Sequence, residues 1–140
     1  MPPLQIGVYE ENRLIKSFIS KDKTSEALPS LFEKILEDYD VKSIIYAKGP
    51  GSFMAIKIAY IFLKSISIVK NIPLLGADSF IFNQNNPIKA LGNLHFIKEN
   101  GIIRTQKIKS NKESSLKLPQ FLDKKIFSLD SKPLYILPAV

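Results

Sequence analysis

The sequence predicts an α/β domain in which a mixed sheet is packed by two helices, and three observations carry that expectation. Two short alternating runs near the N-terminus read as a hairpin. A one-sided apolar period of about 3.6 residues follows between Leu28 and Tyr39. Then a buried strand, Ser43-Ile-Ile-Tyr-Ala47, turns through Gly49-Pro50-Gly51 into a long helix from about Phe53 to Lys70, which is apolar nearly all the way round.

Taken in order, Leu4-Gln-Ile-Gly-Val-Tyr9 is the first strand, Glu10-Glu-Asn12 a turn and Leu14-Ile-Lys-Ser-Phe-Ile19 the return strand. The first helix follows a Thr24/Ser25 cap, with Pro29 in its opening turns. Its apolar residues Leu28, Leu31, Phe32, Ile35, Leu36 and Tyr39 fall on one side, and Glu26, Glu33, Glu37 and Asp38 make the other side acidic. At the elbow, Gly49 and Gly51 permit backbone angles closed to other residues, Pro50 fixes its own φ, and Ser52 is placed to cap the next helix. On that second helix Ala55, Ile58, Ala59, Phe62, Ile66 and Val69 form a face suited to a sheet. The opposite face carries Met54, Lys57, Tyr60, Ile61, Lys64 and Ile68, an apolar band around two lysines that needs a cover from outside the sheet.

Asn71-Ile-Pro-Leu-Leu-Gly76 reads as a short strand parallel to the one before the elbow, since a helix connects them. Asp78 is placed to cap a short helix over residues 79–82. After Pro87 the composition shifts, which divides the chain into an N-terminal lobe, 1–87, and a reduced C-terminal lobe, 88–140. In the second, residues 94–98 and 102–108 flank an Asn100-Gly101 turn, a strong hairpin signal. Leu118–Leu122 reads as a helical turn, Lys125–Ser128 as a short strand and Pro133–Leu137 as a last strand.

Composition removes several chemistries. With no cysteine and one histidine among 140 residues, thiol catalysis, disulfides, thiolate zinc and multi-histidine metal sites are excluded within the chain, while a carboxylate-only magnesium site stays open. His95, between Leu94 and Phe96, is expected to be an ordinary strand residue. No apolar run approaches the roughly 18 residues of a membrane span. The opening Met1-Pro-Pro-Leu-Gln-Ile6 lacks a basic segment followed by an apolar one, so a cytoplasmic protein is expected.

The net charge of +7 is uneven: residues 1–87 hold ten basic and nine acidic side chains, residues 88–140 ten basic and four acidic. A basic nucleic-acid-binding module, using Lys107, Lys109 and Lys112, is therefore one alternative reading. Eighteen of the twenty cations are lysine, whereas fork-like phosphate recognition prefers arginine. The elbow could hold a phosphate on free N–H groups at a helix start, but it lacks the Lys-Ser/Thr ending of a Walker loop. Ser52 lacks both a base and the Gly-x-Ser-x-Gly context of a nucleophile elbow. The pairs Glu10/Glu11 and Asp38/Asp40 lie at turns and helix ends, where solvated surface is the common case. A peptidase or kinase is thus the weaker alternative. No catalytic, cofactor-binding or metal-binding residue is assigned.

Gly49-Pro-Gly-Ser-Phe53, then Ile56-Lys-Ile58, then Ile72-Pro-Leu-Leu-Gly76 and Ser79 resemble the TsaB (YeaZ) family, where the run normally reads Gly-Pro-Gly-Ser-Phe-Thr-Gly-Leu-Arg-Ile-Gly and, after a helix, Ile-Pro-Leu-Val-Gly-Val-Ser-Ser. Ser25-Glu-Ala-Leu-Pro29 is similar to the family's approach to its first helix, and Pro133-Leu-Tyr-Ile-Leu-Pro138 to its closing segment. The resemblance implies an actin/Hsp70/sugar-kinase-like (ribonuclease H-like) lobe without catalysis or cofactor. It further implies a homodimer in isolation that supports TsaD, the enzyme placing threonylcarbamoyl on adenosine in tRNAs reading codons that begin with A. A TsaE-like ATPase is a further implied partner, and tRNA an indirect one. The departures are specific: Tyr9-Glu-Glu11 stands where the family has Asp-Thr-Ser, Thr24 replaces His, Met54-Ala55 replaces Thr-Gly and Lys57 replaces Arg. The expected function is a non-catalytic scaffold whose partner interface is Met54, Lys57, Tyr60, Ile61, Lys64 and Ile68, aimed by the structural elbow Gly49, Pro50, Gly51 and Ser52.

Overall fold

The computed structural model describes residues 3–91, 94–108 and 117–134. Strands β1 (Leu4–Glu10) and β2 (Arg13–Ser20) form the expected hairpin. Its two-residue turn holds Glu11 and Asn12 at φ 51° and 66°, the positive angles that let a turn follow the twist of its strands. Helix α1 runs Thr24–Asp38 and buries Ala27, Leu28, Phe32 and Ile35. Its N-cap is Lys23, with no side-chain cap hydrogen bond, so Thr24 lies inside the helix rather than capping it.

Strand β3 (Ile44–Gly49), helix α2 (Phe53–Lys70) and strand β4 (Leu74–Asp78) make the β-α-β unit, with β3 and β4 parallel. Ser52 is the N-cap, and its carbonyl accepts from the Ile56 N–H at 3.0 Å. Asn71 closes α2 in the left-handed conformation. Leu28 and Phe32 of α1, Ile44 and Tyr46 of β3, Leu63 of α2 and Leu74 of β4 make the main core, against which Leu4 and Ile6 of β1 pack.

One continuous mixed sheet is not what forms. The hairpin and the parallel pair are separate two-stranded sheets. Leu4 and Ile6 reach the common core through their side chains, so the hydrophobic pattern that placed the hairpin against the helices holds although, among the described residues, no shared ladder joins the sheets.

Asp78 caps a 3-10 turn, Ser79–Asn83, its carboxylate accepting from the Phe80 N–H at 3.0 Å. A third sheet follows, β5 (Ile88–Leu91), β6 (Leu94–Glu99) and β7 (Ile102–Lys107), antiparallel throughout. Asn100 and Gly101 make the predicted turn, both at positive φ. Phe80, Ile88 and Phe96 are the second core. His95 is buried on β6.

Residues 117–134 differ most from expectation. Leu118–Leu122 forms no helical turn, and Phe121 makes an isolated bridge to Arg13. A 3-10 turn, Lys124–Ile126, replaces the expected strand, and Ser128 bridges Gly76 of β4. Pro133 and Leu134 belong to no strand, and the rest of the expected last strand lies outside the described residues. This segment is a strap laid across the first eighty residues. Its bonds run mostly to main-chain atoms: Leu14 N–H to the Gln120 carbonyl at 2.9 Å, Gly76 N–H to the Ser128 carbonyl at 2.8 Å, Leu134 N–H to the Lys48 carbonyl at 2.7 Å. Backbone pairing of this kind leaves no apolar period to read.

Candidate protein-docking face

The elbow decides where α2 points. Gly49 has φ +119°, an angle L side chains rarely adopt, and a Cβ there would stand 2.6 Å from the Leu134 carbonyl oxygen. Pro50 is fully buried behind it. Gly51 is less constrained, since its φ is not positive and a Cβ would meet only Ile56 Cδ1 at 3.4 Å. Of the two glycines read as permissive, only Gly49 uses that freedom.

The strap locks the same end of the molecule. Tyr46 donates its hydroxyl to the Ser131 carbonyl, and Lys48 Nζ donates to the Asp130 carbonyl at 2.9 Å. Gly76 lies beneath, where a Cβ would come within 3.0 Å of the Asp130 carbonyl oxygen. At the far end of the strap Tyr9 donates its hydroxyl to the Pro119 carbonyl at 2.5 Å. Burial raises the Tyr9 pKa above its ordinary value, because the phenolate would lose water.

α2 turns Ile56 and Leu63, one heptad apart, into the core. Tyr60 does not lie on the outer face with the other expected interface residues. It is half-buried and stacks on Tyr46 of β3, ring centroids 6.1 Å apart. Val69, expected on the inner face, is 77% exposed. The reason is length: a helix of 18 residues spans about 27 Å, whereas the five- and six-residue strands beneath span about 17–20 Å, so its last turn overhangs.

Five of the six expected interface residues stay together outside. Met54, Ile61 and Ile68 are 58%, 56% and 70% exposed, and Lys57 and Lys64 are exposed beside them. Solvent normally meets polar side chains on such a face, and three large exposed aliphatics in line depart from that pattern.

Elsewhere the site inventory is thin. A cleft of about 530 Å³ is lined by Asp78, Phe80, Ile81, Gln84, Asn85, Lys98 and Ile126. In it Lys98 is paired with Asp78, whose carboxylate also accepts from Phe80 N–H. The Asp78–Lys98 pair went unread in the sequence, since two residues twenty apart on different elements give no local signal. Among the described residues no group of three or more His, Asp or Glu is placed to hold a metal. Lys107 is exposed at the end of β7, whereas Lys109 and Lys112 lie outside the described residues. Among the described residues, no helix is long and apolar enough to cross a membrane.

A family model described as TsaD: tRNA N6-adenosine threonylcarbamoyltransferase matches residues 18–89, just over half of the chain, from the return strand through the elbow and α2 to β5. The chain belongs to the TsaD family. Two solved structures share the fold. One is YeaZ from Pseudomonas aeruginosa, 15% identical with a TM-score of 0.57. The other, described as an uncharacterized protein with similarity to peptidase YEAZ from Pseudomonas aeruginosa, is 16% identical with a TM-score of 0.54. Each match covers 73% of this chain and 57% of the other, so this TsaD-family chain spans little more than half the length of those structures. No curated protein matches it. The family match and the shared fold together make it a TsaD-family chain with a YeaZ-like fold.

Proposed function

We propose that this chain is a non-catalytic scaffold subunit that docks a TsaD-like catalytic subunit in threonylcarbamoyladenosine modification of tRNA. The observation that carries the reading is the exposed line of Met54, Ile61 and Ile68 on a helix whose other side is fixed in the core. Membership of a family described by tRNA modification supports the pathway. In this reading residues 1–87 are an actin/Hsp70/sugar-kinase-like lobe and residues 88–140 a reduced second lobe. The protein works in the cytoplasm, forms a homodimer when alone and meets tRNA and a TsaE-like ATPase only within the assembly. Tyr9-Glu-Glu11 at the hairpin turn offers no Asp at the position where the resemblance places one, which favours support over catalysis.

Co-purification of this chain with a TsaD-like subunit tests the reading. Ile61→Asp leaves the isolated chain folded, because the residue is already in water, and abolishes capture, because an unpaired carboxylate in a dry contact costs several kcal/mol, about 3–5. Capture that survives Ile61→Asp moves the interface off α2. Threonylcarbamoyl transfer by the isolated chain would overturn the non-catalytic role.

A further inference from the structure

The outer edge of β2 is covered over a short stretch only. Leu14 N–H donates to the Gln120 carbonyl at 2.9 Å and Leu122 N–H to the Asn12 carbonyl at 2.8 Å, on either side of the single antiparallel bridge between Arg13 and Phe121. The strap then leaves that edge, since Lys117 N–H turns to the Phe82 carbonyl at 2.7 Å. From Ile15 to Ser20 the side of β2 away from β1 has no ladder partner among the described residues.

The covered stretch is shaped for a peptide. Gly7 leaves a notch, where a Cβ would stand 3.2 Å from Leu118 Cδ1 and 2.8 Å from Tyr9 Cε1. Beside it the Tyr9 hydroxyl donates to the Pro119 carbonyl. Residues 118–122 nevertheless leave the edge unfinished. The Phe121 ring is 70% exposed, and Ile15 and Ile19 stay exposed along the bare part of β2. β2 carries two cations, Arg13 and Lys16, and no acid. Both cations are exposed, and neither joins an ion pair among the described residues. Residues 117–122 contain no carboxylate to offer them.

We infer that the outer edge of β2 is a β-addition site for an extended segment of a partner protein in which apolar residues alternate with acidic ones, and that residues 118–122 occupy its near end in the partner's absence. The incoming strand pairs along the backbone from Asn12 to Ser20, where the strap reaches only Leu14. It sets a leucine-sized side chain over Gly7, covers Ile15 and Ile19, and brings carboxylates to Arg13 and Lys16. Apolar and opposite-charge pairs across neighbouring strands each stabilise the added strand. The same charges disfavour a second copy of β2 as the occupant, because two such strands bring together cations without a carboxylate. The elbow end of the strap stays in place, since Ser128, Ser131 and Leu134 have their own bonds to Gly76, Tyr46 and Lys48.

The probe is a fluorescein-labelled peptide, Glu-Val-Glu-Val-Leu-Pro-Gln-Glu-Leu, and its control carries lysine at the three glutamate positions. In anisotropy titrations of the full chain the acidic peptide binds at least about tenfold more tightly than the control, and R13E/K16E reverses the order. Binding of the acidic peptide slows amide hydrogen exchange over residues 15–20. Equal binding of the two peptides, an order that survives the charge reversal, or unchanged exchange over those residues overturns the inference. Arg13 and Phe121 face each other between the two main-chain bonds, a pairing whose Cα spacing of about 4.5 Å admits a disulfide, and the chain has no cysteine of its own. Oxidised R13C/F121C, with the strap tied down, binds the acidic peptide at least about tenfold more weakly than the same variant reduced. Binding that oxidation leaves undiminished overturns the inference. If the acidic peptide binds neither form while oxidation dissolves a concentration-dependent dimer, the occupant is a second copy and the inference is overturned. None of these residues lies on α2, so each result is distinct from the test of the docking face.

Discussion

The two helices have the same neighbours and opposite outer faces. α1 and α2 meet through Phe32 and Phe62, and both send side chains into one core with β3 and β4. α1 then presents Glu26, Glu33, Glu37 and Asp38 to water, and needs nothing more. α2 presents Met54, Ile61 and Ile68. A helix fifteen residues long with one apolar stripe and a helix eighteen residues long with two differ in what they leave over: the outer face of the first is charged, and that of the second is apolar. An amphipathic period identifies an inner face, and what lies opposite that face says whether the helix has further work.

The largest effect that can break this contrast comes from the inner side of α2. Leu63→Ala removes a buried side chain from the main core and costs about 2–5 kcal/mol in a chemical denaturation series. A cost below about 1 kcal/mol would mean that α2 is not anchored by this side, and the distinction between its faces would fail.

Second comes the elbow, which α1 lacks: that helix starts from Lys23 without a glycine hinge, whereas α2 is launched from Gly49. Gly49→Ala forces a side chain into φ +119° and against the Leu134 carbonyl, for about 1–3 kcal/mol. Gly51→Ala, with ordinary φ and a 3.4 Å contact, stays within about 1 kcal/mol of the wild type. Equal costs at the two glycines would show that the aim of α2 is not set at Gly49. Thermal unfolding of the two variants side by side decides it.

These residues also mark how far the sequence could be read. Wherever one period dominated, the element followed: α1 from Leu28, Phe32 and Ile35, the hairpin at Asn100-Gly101, the parallel pair around the elbow. Tyr60 and Val69 were misplaced because α2 is apolar on every side, and a period of 3.6 loses its phase when almost every position qualifies. Tyr60 belongs to the core because Tyr46 offers it a ring to stack on, a partner one strand away that no spacing announces. The strap was unreadable for a related reason. It is held by main-chain bonds and by the hydroxyls of Tyr9 and Tyr46 reaching carbonyls 110 and 85 residues away in sequence. The exposed outer face of α2 was legible in five of its six expected residues because lysines interrupt it at regular intervals.

The smallest expected effect isolates the outer faces from stability altogether. Glu33→Ala on α1 and Ile61→Ala on α2 both change exposed helical positions, and each alters the stability of the dilute monomer by no more than about 0.5 kcal/mol. Alanine is a good helix former, so neither helix loses its own preference. Raising the protein concentration should leave the Leu63→Ala deficit in place, since that cavity is inside one chain. It should, however, open a gap between wild type and Ile61→Ala, because a partner that binds only the folded form raises apparent stability by mass action. Denaturation midpoints measured across a hundredfold range of concentration therefore separate the two faces of α2. If the Ile61→Ala gap is as wide at the lowest concentration as at the highest, Ile61 is stabilising its own monomer, and the outer face of α2 differs from that of α1 in composition only.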